Sequence, residues 1–152
     1  SGAVISQLND TIWVLRKESL SLTALSDRIK LFVSRISRSY PATRLEVNEQ
    51  IETDHQLSAA QAFHLYRVVQ EGINNALKHS GASTITVTLE GSTHWKLSIA
   101  DNGRGFDPEI LSQSAGHGLK TMQERSAESG WKISWRINPG GGTLVELTPT
   151  TN

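Results

Sequence analysis

A carboxylate, two amides and a cation stand close together in Glu71-Gly72-Ile73-Asn74-Asn75-Ala76-Leu77-Lys78-His79. At about 100° per residue, Glu71, Asn75 and Lys78 fall within about 60° of one another on a helix, while Tyr66, Val69, Ile73 and Leu77 gather on the other side. One face can therefore join a core. The other can orient water, offer an amide oxygen to a hard cation and contact phosphate, because magnesium takes few protein oxygens and keeps waters or phosphates as its other ligands. A solvated amphipathic face is the plainer reading of the same stripe.

Three further elements carry comparable chemistry. Asp101-Asn102-Gly103-Arg104-Gly105-Phe106 follows a run of strand-like alternation. An aspartate at a strand end can accept a hydrogen bond from an exocyclic amine, and glycines beside it let the backbone approach a flat ring. An ordinary Asx turn accounts for Asp-Asn-Gly equally well. Gly116-His117-Gly118-Leu119 precedes a helical run. Backbone N–H groups and the positive end of a helix dipole there suit a phosphate, although the spacing is neither Walker A nor the Rossmann fingerprint. Gly140-Gly141-Gly142-Thr143, taken alone, reads as a hairpin turn.

The elements that must position these groups follow from periodicity. Ile5, Leu8, Ile12 and Leu15 form a stripe of the two-stranded helical kind, and a second stripe runs through Leu22, Leu25, Ile29, Phe32 and Ile36. The register slips at Ser19-Leu20-Ser21, which places a boundary near residue 20, with Ser21 as a cap for the second helix. Pro41 ends that helix, and Leu45, Val47 and Ile51 suggest a strand over 43–53 in which Glu49 interrupts the apolar face. Ser58 opens a long helix to about His79, stopped by Ser80-Gly81. Strands are expected over 84–89 and 94–100, a glycine-rich loop over 101–118, a short helix over 119–129, and strands over 131–137 and 143–147. Strands joined by short turns are antiparallel. The class is α+β, a mixed and mostly antiparallel sheet with helices on one face, preceded by an N-terminal helical segment.

Composition excludes several functions. Fifteen basic residues balance fifteen acidic ones, so the basic excess of a non-specific nucleic-acid binder is missing. With no cysteine there is no disulfide, thiolate zinc site or cysteine nucleophile. No apolar run reaches the roughly 20 residues that span a bilayer, and no signal peptide opens the chain. Met122 is the only methionine, and Ser1-Gly2-Ala3 reads as a cloning scar, so a fragment of a longer protein is expected. Among the histidines, His64 and His94 read as structural. Trp95, Trp131 and Trp135 read as packing residues of strands, while Trp13 lies off the first helical stripe.

The four elements in this order resemble the N box and three glycine boxes of the Bergerat fold shared by histidine kinases, the MutL proteins and type II topoisomerases. Leu65-Tyr66-Arg67-Val68-Val69-Gln70-Glu71 with Asn74-Asn75-Ala76-Leu77-Lys78-His79, and Gly118-Leu119-Lys120-Thr121-Met122-Gln123-Glu124-Arg125, resemble the sensor histidine kinases of the nitrate-sensor and DesK type over residues 22–149. The resemblance implies a two-layer sandwich over 21–152 that binds ATP and Mg2+, with residues 1–20 closing a dimerisation helix. It further implies that Asn75 binds magnesium, that Glu71 positions a metal-bound water or assists proton removal, and that Asn74, Lys78 and His79 lie near the phosphates. Asp101 would recognise the adenine amine, with Gly103 and Gly105 lining the base pocket. Gly116, His117, Gly118 and Leu119 would support a lid over about 106–117 and the triphosphate, and Thr143 would close the adenine end.

The implied partners are a dimerisation domain carrying the phosphoacceptor histidine, a response regulator, and a second copy in the full-length protein, with no nucleic acid. The implied location is cytoplasmic, with an inner-membrane anchor left open for the full-length protein. The acceptor motif of the family does not occur here: His55, His64, His79, His94 and His117 all fall in the nucleotide-binding part. Phosphorylation in cis is therefore not expected. A related ATPase, an anti-sigma serine kinase and a degenerate interaction domain are the alternatives.

Overall fold

The computed structural model describes residues 19–103, 130–137 and 141–149. The stripe from Ile5 to Leu15, Trp13, Gly105, the Gly116-His117-Gly118-Leu119 element, the lid, the helix expected over 119–129 and Gly140 lie outside those residues.

The described chain opens with a three-residue strand, β1 (Ser19–Ser21), then α1 (Leu22–Ser37), β2 (Arg44–Ile51), β3 (Gln56–Ser58) and α2 (Ala59–Asn75). A π-helical turn (Ala76–Ser80) follows, then β4 (Thr84–Gly91), β5 (Trp95–Asp101), β6 (Trp131–Ile137) and β7 (Thr143–Pro149). Five strands form one sheet in the order β2-β4-β5-β7-β6. β2 runs parallel to β4, and every other pair in the sheet is antiparallel. The parallel pair needs a crossover, and α2 lies within the segment that makes it. The expected α+β class with a mixed sheet is thus observed.

Alternation along β4 and β5 is strict, with every second residue buried, and β7 follows it from Thr143 to Leu147. Ile85, Val87, Leu89, Trp95, Leu97, Ile99, Val145 and Leu147 meet Leu25 and Ile29 of α1 and Leu65, Val69 and Ile73 of α2 in one core. The other face carries the half-buried Thr86, Thr88, Ser98 and Glu146, so the described residues form two layers, with both helices on one face of the sheet. Trp95 and Trp131 are buried edge-to-face at 5.1 Å, and His64 packs on Trp131 at 5.2 Å, which gives these three side chains the packing role their positions suggested.

Three features differ from the sequence reading. First, β1 and β3 pair as a separate two-stranded ribbon, Leu20 opposite Leu57, both buried. Three residues are too few for alternation to announce a strand. The ribbon aligns two helix starts. Ser21 caps α1 by accepting from Ala24 N at 3.1 Å, as expected, and Ser58 forms a capping box with Gln61. Second, the helix expected to run unbroken to His79 is α-helical only to Asn75; the next five residues widen into the π-turn, ended by Gly81 in the left-handed region at φ 64°. His94 is also displaced: it sits exposed in the β4–β5 turn, where its carbonyl accepts from Ser92 N, and has no packing role.

Glu49 explains itself once α1 is in place. It lies on the helix-facing side of edge strand β2, where Lys30 of α1 reaches it at 3.3 Å. The Ser26 hydroxyl, then Lys30, hold its carboxyl below the usual range. Ser26 Oγ makes no hydrogen bond of full geometry, so that contact is a loose one.

Candidate functional site

The site is assembled from the C-terminal turns of α2 and the end of β5. Along α2, Tyr66, Val69 and Ile73 are buried, whereas Glu71, Asn74 and Asn75 are half-buried and Lys78 is exposed. The polar stripe therefore faces away from the core, as the spacing implied. Asn75 is the last α-helical residue, and Lys78 and His79 fall in the π-turn, so the regular angular relation between Asn75 and Lys78 does not hold.

Gly72, next to Glu71, lies against β5. A Cβ there would sit 2.5 Å from Ile99 Cδ1. Ile99 is two residues before Asp101, about 7 Å along the strand. The Glu71–Asn75 turn and the end of β5 are neighbours for that reason.

Asp101 is the buried anchor of the site, at 7% exposure. Its Oδ1 accepts from Gly103 N at 2.9 Å and from Thr143 N at 3.4 Å. Desolvation raises its carboxyl above the usual range, and the two backbone N–H groups oppose the rise. The bond to Gly103 is the Asx turn that Asp-Asn-Gly favours, so the structural and functional readings of this motif hold together. The second oxygen, Oδ2, accepts no hydrogen bond among the described residues and remains available to an external donor.

Asn102 braces the same corner, a role the sequence reading did not assign. Its Oδ1 accepts from Ser83 N at 3.0 Å and Thr84 N at 2.9 Å, and its Nδ2 donates to Ser83 Oγ. These bonds tie the end of β5 to the start of β4. The only sequence signal was a strand-terminal Asn, a residue whose side chain readily bonds nearby backbone.

The third wall is the turn into β7. Gly142 has φ 88°, and a Cβ on it would fall 1.8 Å from the Asp101 carbonyl oxygen. No side chain fits there. Thr143 begins β7 and is buried at 6%. The Gly-Gly-Thr run is therefore both the hairpin turn into β7 and the backbone that closes over Asp101. Of the residues expected in the site, the structure brings together Asp101, Gly103 and Thr143 as one cluster, with Glu71, Asn74 and Asn75 on the adjoining helix turn. Among the described residues no group of three or more His, Asp or Glu side chains could hold a metal by itself. A shallow groove of about 460 Å3 past Glu90, His94, Lys96 and Pro149 lies at the other end of β5 and takes no part.

Residues 60–152 match the family described as histidine kinase-, DNA gyrase B-, and HSP90-like ATPase. The chain belongs to this family. It is 34% identical over 140 residues to the sensor protein VraS of Staphylococcus aureus, and equally so to that of Staphylococcus epidermidis. The alignment takes in 91% of this chain but only about two fifths (39%) of the Staphylococcus aureus protein. Among solved structures, the ATP-binding domain of PrrB from Mycobacterium tuberculosis superposes with a TM-score of 0.69 at 22% identity, over 88% of this chain and 97% of that one. The mycobacterial sensor histidine kinase MprB gives 0.67 at 22% identity, over 87% and 95%. At that identity these two speak for the fold alone. Within the family, the chain is an ATP-binding domain of the sensor histidine kinase kind.

Proposed function

We propose that this domain binds ATP with Mg2+ and transfers the γ-phosphoryl group to a histidine carried on a separate dimerisation domain, from which a response regulator would be charged. The observation that supports this most directly is the buried Asp101 carboxylate. It is clasped through one oxygen by Gly103 and Thr143, leaves the other open, and stands beside the Glu71–Asn75 turn.

In this reading Asp101 Oδ2 accepts from the adenine amine, Gly103 and Gly105 line the base, and Thr143 closes that end. Asn75 offers its amide oxygen to the metal. An amide and a neighbouring carboxylate suit magnesium, which draws its remaining ligands from phosphate and water. Bound there, the ion would neutralise charge on the phosphates. Glu71 orients a metal-bound water or receives the acceptor's proton, and Asn74, Lys78 and His79 serve the phosphates. Gly116, His117, Gly118 and Leu119 form the lid end. Phosphoryl transfer asks the protein mainly for positioning and charge stabilisation, and this set supplies both. Residues 1–20 are proposed as the end of the dimerisation helix. A cytoplasmic location is part of the same proposal.

The test is magnesium-dependent ATP and ADP binding by calorimetry to the wild type, Asn75→Ala and Asp101→Ala. Wild-type binding that Asp101→Ala abolishes, and that Asn75→Ala weakens and deprives of its magnesium dependence, is expected; a wild type that binds no nucleotide at millimolar concentration overturns the reading. With a histidine-bearing dimerisation domain added, acid-labile phosphate on histidine is expected. Acid-stable phosphate on serine would move the assignment to a serine kinase.

A further inference from the structure

One cation on the nucleotide helix is not absorbed by the proposed chemistry. Arg67 stands four residues before Glu71, which stands four before Asn75, so the three share one face of α2. Arg67 is half-buried, and its Nη1 donates to Gln70 Oε1 at 2.8 Å. Gln70 is itself buried, at 3% exposure. The guanidinium is thus held in place by a neutral amide fixed in the core, and among the described residues it has no carboxylate partner.

A half-buried arginine gives up part of its hydration. With one donor on a neutral acceptor, it keeps several donors in a rigid fork suited to a carboxylate or phosphate. Helix geometry decides between these. At about 1.5 Å per residue, the Arg67 backbone is about 12 Å along the axis from Asn75 and about 6 Å beyond Glu71. The bond to Gln70 draws the guanidinium back by less than one turn. An ion held by Asn75 would draw phosphates to within a few ångströms of itself, so Arg67, two turns away, stands farther from them than Glu71 does. Arg67 lies one turn from Glu71 on the same face, and Glu71 is the residue that, in the kinase reading, receives the acceptor's proton.

We propose that Arg67 is a positioning residue for the phosphoryl acceptor, pairing through its free donors with a carboxylate on the surface of the histidine-bearing domain as that domain docks at the Glu71 end of α2. Gln70 presents it. The proposal rests on the kinase reading given above, and it assigns the charge contact that steers acceptor docking.

The experiment uses this chain with a purified histidine-bearing dimerisation domain. It measures direct binding of the two by fluorescence titration, transfer kinetics, and nucleotide affinity. Arg67→Gln is expected to raise the KM and the dissociation constant for the acceptor domain about 10- to 100-fold, the range for loss of a charge-assisted hydrogen bond. Its kcat and ATP affinity should stay within about twofold of wild type, and the salt dependence of binding should flatten. Gln70→Glu keeps the tether but supplies a carboxylate to Arg67; it should weaken docking in the same direction without loss of fold. Arg67→Lys should recover part of the affinity. Unchanged docking in Arg67→Gln, or a loss of ATP affinity with the acceptor KM unchanged, overturns the proposal. A wild type that binds the acceptor domain but transfers no phosphate overturns the kinase reading instead, and the binding comparison still decides the role of Arg67.

Discussion

At the scale of single residues, Asp101 separates stability from function. Its folded carboxyl titrates above the usual range because burial disfavours the charge. The folded state therefore holds this proton more tightly than the unfolded chain does. Stability from this group falls as pH rises through the window between its unfolded and its raised folded value, and the cost is fully present above that window. Asp101→Asn keeps an oxygen for the N–H groups of Gly103 and Thr143 and removes the buried charge. The ligand-free variant should melt no lower than wild type at neutral pH, while its adenine nucleotide affinity drops about tenfold or more. A fall in melting temperature of several degrees would refute this account. Wild-type nucleotide binding should also weaken in mild acid, as Asp101 takes up the proton that excludes an amine donor from the carboxylate; calorimetry across pH 4–7 checks it. Gly142→Ala should be more damaging than either, since its Cβ would overlap the Asp101 carbonyl. Soluble yield and nucleotide binding are expected to fall together.

At the scale of elements, the inward charge on β2 has a role that alternation alone could not reveal. A helix-facing Glu at a sheet edge discourages pairing with another chain's strand, provided the charge has a partner on the helix. Lys30 and Ser26 serve as that partner here. Glu49→Val should leave the melting temperature within a few degrees and raise the tendency to dimerise, seen as a concentration-dependent shift in gel filtration. Because the folded Glu49 carboxyl lies below its ordinary value, its contribution is complete above the unfolded pKa and is lost as pH falls through the folded one. Ser58 sits at a second junction, closing β3 and capping α2. Ser58→Ala should cost about 1 kcal/mol in chemical denaturation. It should also increase hydrogen exchange in the first turn of α2, with less effect near Asn75.

At the scale of the molecule, what was legible in the sequence tracks how far each feature depends on local chemistry. The strands over 84–89 and 131–137, the cap at Ser21, the stop at Gly81 and the polar face of α2 are local, and the fold keeps them. The β1–β3 ribbon, the parallel pairing of β2 and the brace from Asn102 to Ser83 join segments 19 to 40 residues apart, and no local pattern encodes such partners. The clasp on Asp101 lies between these cases. Its Asx turn is local, but the Thr143 N–H that completes it comes from 42 residues away, and only the order of the motifs hinted that the two would meet.

That long-range closure makes the whole domain a reporter of its ligand. A nucleotide touching both β5 and β7 would bind only the assembled state and would add stability by mass action, about 2.7 kcal/mol at 100 times the dissociation constant. For a domain of this size each kcal/mol moves the melting temperature by about 2–4 °C. Saturating ATP with magnesium should therefore raise it by roughly 5–10 °C. Removing magnesium with EDTA should take away part of the rise while leaving the ligand-free melting temperature untouched, because no cluster of metal-ligating side chains among the described residues holds an ion for structure. Asn75→Ala with magnesium should match the wild type in EDTA, whereas Asp101→Ala should show almost no shift in either buffer. A magnesium effect that survives in Asn75→Ala would move the metal to another ligand.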